Sequence, residues 1–168
     1  MKNILVFLFM LSSTFVRGEF LSAEIGVDGL TCSQCSRSVE MKLRALDFVA
    51  DVQMNLEQNI GLVTFKEGKV IRLERLGKAV IDAGFTVGYI RALFDFSDTN
   101  ISPDGTFSYE GQVYQPVNDK PATLPFVAKI QLVGDDFMDT TSWKKWKPAV
   151  KRLQQKITSE SLFVLWVE

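Results

Sequence analysis

Cys32 and Cys35 are the only thiols in the chain, and the sequence contains no histidine. They stand three positions apart in Gly29-Leu30-Thr31-Cys32-Ser33-Gln34-Cys35, directly ahead of an amphipathic run. A pair at this spacing can be a structural clip, a dithiol–disulfide redox couple or a metal site. A bridge between them closes a very short ring and takes little entropy from the unfolded chain, so the clip explains little.

The residues around the pair weigh the other two readings. A thioredoxin-like redox site expects tryptophan before the first cysteine, often proline between the two, and a later cis-proline facing them. Here Thr31 comes first, Ser33 and Gln34 lie between, and no proline occurs before Pro103. Metal binding is therefore preferred, and thiol–disulfide exchange is the rival. Copper(II) favours imidazole and oxygen ligands, so the missing histidines argue against it. Structural zinc takes four protein ligands, and four sulfurs are reached only in a metal-bridged dimer. The remaining cargo is a soft ion content with few sulfur ligands: copper(I) first, mercury(II) second, zinc third.

The elements that must position these thiols follow from periodicity. Ala23, Ile25 and Val27 alternate as in a strand that ends at Asp28-Gly29. From Ser36 the period is helical, with Val39, Leu43 and Leu46 on one side, and both thiols fall on the strand-to-helix loop. Cys35, in the first turn, is expected near the free N–H groups and positive dipole end, which favour thiolate over thiol. Strands follow at Val52, Met54 and Leu56 and from Ile60 to Phe65. A second helix spans Ile71 to Ala83 with Gly84 as its stop, and Phe85, Val87 and Tyr89 open a fourth strand. The order βαββαβ predicts an α+β, ferredoxin-like sandwich.

The remainder, residues 92–168, holds all five prolines and all three tryptophans. Strands are expected over Phe107 to Val117, Phe126 to Val133 and Ser161 to Val167, with a helix whose first residue is Pro148 and whose buried stripe is Val150, Leu153 and Ile157. This predicts a small second, β-rich α+β module.

The cysteine loop, the βαββαβ order and Ala83-Gly84-Phe85 together resemble the heavy-metal-associated domain, over about residues 22–91. That family includes copper metallochaperones, metal-binding domains of copper-transporting P-type ATPases and the periplasmic mercuric-ion protein. The resemblance implies Cys32 and Cys35 as the metal ligands, with Gly29 and Thr31 matching the flanking pattern. Leu30 stands where methionine is usual, and leucine fills a similar volume. Phe85 matches a loop position that leans over the site, and an aromatic there favours copper over mercury by resemblance; its plain alternative is a core phenylalanine. The implied function is capture of one soft ion and its transfer, by thiolate exchange, to a metal-transporting ATPase or another metal-binding protein. No reaction is catalysed. A periplasmic mercuric-ion-binding role is the alternative within that class.

Composition places these expectations. With 46% hydrophobic and 23% charged residues the chain is globular in character. Lys2 followed by the apolar run Ile4 to Leu11 reads as a signal peptide over residues 1–18, cleaved after Gly18 or, second, after Ala23. The run is too short to span a bilayer, so no stable membrane insertion is expected. Its removal takes two of the 19 basic residues and none of the 20 acidic ones, leaving a charge near −3 and no case for nucleic acid. The expected location is outside the cytoplasm, periplasmic or secreted. Six cations, Lys144, Lys145, Lys147, Lys151, Arg152 and Lys156, stand among Trp143 and Trp146 with no intervening acid. They read as a solvated helix face, or as a dock for an acidic partner or anionic headgroups. Asp135, Asp136 and Asp139 lack the spacing of a calcium loop and predict an acidic turn. Met41, Met54 and Met138 are too scattered for a methionine relay.

Overall fold

A computed structural model describes residues 18–157 and 161–167; the segment read as a signal peptide lies outside them, apart from Gly18. The first half follows the expected order: β1 Glu19–Asp28, α1 Ser33–Arg44, β2 Val49–Asn55, β3 Ile60–Phe65, α2 Leu73–Asp82 and β4 Thr86–Asp95. These strands lie antiparallel in the order β2-β3-β1-β4. Ala23, Ile25, Val52, Val63, Ile90 and Ala92 share one sheet face, because side chains alternate along a strand. They bury there with Val39 and Leu43 of α1 and Leu73, Leu76 and Val80 of α2. This is the ferredoxin-like sandwich. Leu56 falls outside β2 and is exposed in the turn that follows.

The second half extends the same sheet. β5 Phe107–Tyr109, β6 Gln112–Pro116, β7 Val127–Val133 and β8 Ser161–Val167 complete the order β2-β3-β1-β4-β7-β8-β6-β5. β7 pairs antiparallel to β4, and β8 runs antiparallel to β7 but parallel to β6. The strand expected over Phe107 to Val117 is two strands. Glu110 and Gly111 both take positive φ, 46° and 80°, which turns the chain into a tight hairpin of the kind that matches strand twist.

Four neighbour steps separate β4 from β5, so a flat sheet would hold them roughly 19 Å apart at the usual strand spacing. The Phe94 and Phe107 ring centroids are instead 5.2 Å apart, and those of Phe20 and Tyr109 are 5.0 Å apart. The sheet therefore curls on its helix side until the β5–β6 hairpin meets the far ends of β1 and β4. Phe20, Phe94, Phe96, Phe107, Tyr109, Tyr114 and Trp166 fill the curl and join the core beneath α1 and α2. The backbone N–H of Ile71 donates to Tyr109 Oη at 3.2 Å, and Arg72 donates to the Glu110 carbonyl at 3.2 Å, tying the hairpin to the start of α2.

α3, Thr140–Gln154, lies on the opposite face. Its Val150 buries with Val133, Met138, Phe163 and Leu165, and Trp143, Trp146, Leu153 and Ile157 pack against them half-buried. The sequence places Pro148 at the first helical position, but it lies in the helix interior. The true start is eight residues earlier, because the Asp139 carboxylate caps it, accepting from Thr141 and Ser142 N–H at 2.9 and 3.0 Å. Pro148 is tolerated on the solvent side, where water can bond the Lys144 carbonyl that it leaves unpaired.

The Ser142 hydroxyl first, and then these N–H bonds, hold the Asp139 carboxyl below its ordinary value of 3.8. A depressed carboxylate stabilises the fold fully above its unfolded value and loses that contribution as pH falls through the lower folded value. Asp139→Ala is therefore expected to cost about 1 kcal/mol at neutral pH. Denaturant titrations of the two proteins should converge as the pH drops well below 3.8.

Candidate metal centre

The cysteine loop is the short link between two rigid elements. β1 pairs with β3 from Ser22 to Gly26 and with β4 as far as Asp28, which faces Thr86. Gly29 then takes φ +86°, a conformation that side chains disfavour, and turns the chain out of the sheet. Leu30 returns to the core at 5% exposure and anchors the loop, the place expected for the family's methionine. Thr31, Cys32, Ser33 and Gln34 are exposed and Cys35 is half-buried, packed against the main core.

Cys32 is the N-cap of α1, and its sulfur accepts the N–H of Cys35 at 3.1 Å. Cys35 lies in the first turn as expected, and the sulfur that accepts a helix N–H is that of Cys32. Cys35 supplies the N–H group, while Cys32 places its sulfur against the free donors, and such a bond favours thiolate. Ser36 N–H donates to the Cys32 carbonyl at 3.1 Å and closes the first turn.

The two sulfurs are joined as a disulfide, with the Cα atoms 5.2 Å apart. The ring is as short as the spacing implied, so its contribution to stability is small. Its chemical significance is proximity: on reduction the N-cap thiolate and the first-turn thiolate of one helix face one small volume. Among the described residues no group of three or more cysteines, aspartates or glutamates could hold a metal, so the pair has no carboxylate help.

Phe85 follows Gly84, whose φ of +90° ends α2 as expected, and packs half-buried against the same core as Cys35. Met41 is exposed, Met54 half-buried and Met138 buried, well separated in the fold as in the sequence.

Sequence reasoning missed Asn59. This residue holds φ 57° in the β2–β3 turn, and its backbone carbonyl accepts from Val27 N–H at 2.9 Å. With its side-chain nitrogen turned toward the cysteine loop, it donates to the Leu30 carbonyl at 2.8 Å and to Leu56 at 3.2 Å. Gln58-Asn59 marks a turn in the sequence, but nothing local says that the turn reaches back to a loop thirty residues earlier. Asn59→Gly keeps the backbone angle accessible and removes the amide. Loss of such bonds costs ~1 kcal/mol, so hydrogen exchange at residues 30–32 is expected to quicken by roughly fivefold with little change elsewhere.

The model of the heavy-metal-associated domain matches residues 24–86, which span β1 through the start of β4 and enclose the cysteine loop. The copper chaperone CopZ of Staphylococcus haemolyticus is 32% identical over 63 residues, covering 38% of this chain and 91% of the chaperone. The chain belongs to the heavy-metal-associated domain family. Copper-transporting ATPase 1 of Rhizobium meliloti is 38% identical over 115 residues, 68% of this chain but 13% of the ATPase. The periplasmic component of mercuric transport of Pseudomonas fluorescens is 34% identical over 61 residues, 36% of this chain and 66% of that protein. The heavy-metal-associated fold thus accounts for β1 to β4 with α1 and α2; β5 to β8 and α3 lie beyond the match.

Proposed function

We propose that the reduced chain binds one copper(I) ion between Cys32 and Cys35 outside the cytoplasm and passes it to a metal-transporting ATPase or another metal-binding protein. The observation that carries this reading is the sulfur pair at the N-terminus of α1, Cys32 exposed and Cys35 half-buried, with Cys32 accepting the Cys35 N–H. Two thiolates satisfy a soft ion in a nearly linear arrangement and leave its flank open. A partner's thiolate can enter there, and the ion moves through three-coordinate intermediates without a free-ion step. A closed four-sulfur cage would retain it. The similarity to a copper chaperone and to a copper-transporting ATPase supports copper as the cargo of a carrier.

Export rests on the charged and apolar N-terminal pattern, and it sets a requirement: a reductant must open the disulfide before metal enters. Capture of mercuric ion is the second reading, favoured by the similarity to the periplasmic mercuric protein. The test is titration of the reduced full chain with copper(I) and with mercury(II), each against a competing thiol. Copper(I) held at one ion per chain supports the proposal. Retention of mercury(II) alone moves the assignment to mercuric capture, and failure to hold either ion ends both readings.

A further inference from the structure

The six cations of the α3 segment, Lys144, Lys145, Lys147, Lys151, Arg152 and Lys156, are all exposed. The apolar stripe of α3 is already used: Trp143, Trp146, Val150, Leu153 and Ile157 pack into the second core. At 100° per residue, Lys144, Lys147 and Lys151 form a rail along one flank of the opposite side, and Lys145 and Arg152 stand on the other. Thr141 and Pro148 lie between them, so the crest is neutral and carries no large apolar group.

Several cations elsewhere in the fold are matched by a carboxylate. Arg44 pairs with Glu40 and Asp51, Arg75 with Asp47, Lys78 with Asp82 and Arg91 with Glu24. Among the described residues none of the six α3 cations makes an ion pair. Lys145 and Lys147 instead hold their ammonium groups 5.1 and 5.8 Å from the ring centroids of Trp146 and Trp143. Lys144 with Lys147, and Lys147 with Lys151, are like-charged neighbours one turn apart, an arrangement that destabilises an isolated helix. A net-acidic chain has concentrated uncompensated positive charge on one face.

We infer that this face docks on the anionic headgroups of a lipid bilayer. A protein interface is anchored by aromatic or arginine side chains in a desolvated centre, and lysine is depleted there. The α3 crest offers no such anchor. A headgroup plane rewards the number of cations and demands no shape match, each adding about fivefold to binding. The contact is peripheral, since no described helix is long and apolar enough to cross a membrane.

The face is also fixed relative to the cysteine loop. Asp139 N–H donates to the Gly88 carbonyl at 2.9 Å, two residues beyond Thr86, which pairs with Asp28 at the loop's base. Docking would therefore fix the orientation of the cysteine loop relative to the bilayer. That benefit rests on the proposed carrier function, whereas lipid binding does not, and it is measured without metal.

The experiment is co-sedimentation of the full chain with phosphatidylcholine vesicles and with vesicles containing about a third phosphatidylglycerol. Binding is expected only to the anionic vesicles, with release at high salt. The variant Lys144→Gln/Lys147→Gln/Lys151→Gln should bind about a hundredfold more weakly. The matching arginine variant should bind like the parent, as should Lys42→Gln/Lys69→Gln. Near-ultraviolet circular dichroism of the tryptophans checks that each variant is folded. Equal binding to neutral vesicles, or parental binding by the glutamine variant, overturns the proposal. Capture by polyglutamate without binding to anionic vesicles also overturns it and assigns the face to an acidic protein.

Discussion

Cys32→Ser is expected to abolish retention of copper(I) against a competing thiol while leaving the fold intact. Serine is among the preferred N-cap residues, so its hydroxyl can accept the Cys35 N–H that the sulfur now accepts at 3.1 Å. Helix α1 should keep its start and the thermal midpoint should hardly move. Only the soft ligand is lost. Structural zinc sites of four ligands bind with ~10–16 kcal/mol, or roughly 3 kcal/mol per ligand, so one missing thiolate should weaken binding a hundredfold or more. Cys35→Ser should have the same effect on metal. The unreduced parent should behave as either variant does, because a disulfide offers no thiolate. Copper(I) retained by a serine variant would place the ion elsewhere and sink the assignment of this pair.

Phe94→Ala is expected to give the largest loss of stability of any single substitution considered. Phe94 is fully buried, with ring centroids 4.7 Å from Phe20, 4.6 Å from Phe96, 5.2 Å from Phe107 and 5.7 Å from Tyr109. Truncating a buried phenylalanine costs ~3–5 kcal/mol, against total stabilities of ~5–15 kcal/mol. At ~2–4 °C per kcal/mol for a chain of this size, the melting temperature should fall by about 10 °C or more. Phe20 and Phe94 belong to β1 and β4, whereas Phe107, Tyr109 and Tyr114 belong to the added hairpin, and all lie in one continuous core. The loss should therefore appear in a single cooperative transition. A calorimetric trace with two transitions, only one of them lowered by the substitution, would show that the halves melt apart and that the shared aromatic core does not couple them.

The sequence was most informative where local patterning and tertiary packing agree. Ile60 to Phe65 and Ser161 to Val167 are strands with the expected limits, since alternation or a dense apolar run is bounded in each case by polar residues. Cys32 ends the expected loop and Cys35 lies in the first turn of α1, because Asp28-Gly29 and the helical period of Val39 and Leu43 bracket them. Pro148 misled because proline commonly opens helices, and the stronger signal, Asp139 ahead of Thr141 and Ser142, lay upstream. The curl of the sheet was not legible at all. It depends on which strand lies beside which, and the parallel pairing of β6 with β8 leaves no local mark. Asn59 was hidden for a similar reason: its partner carbonyl is close only after β1, β2 and β3 have assembled.

The position of β8 has a consequence for the order of assembly. It follows every other strand in the chain, yet it lies between β7 and β6 and pairs with both. Until it arrives, the β5–β6 hairpin has no route into the sheet, and a hairpin alone is at best marginally stable in water. The curled aromatic core consequently closes at a late, long-range step, the kind that slows folding. β1 to β4 with α1 and α2 pair among themselves and can form first. A chain emerging in sequence order would thus present its cysteine loop before its final strand locks the far end of the sheet.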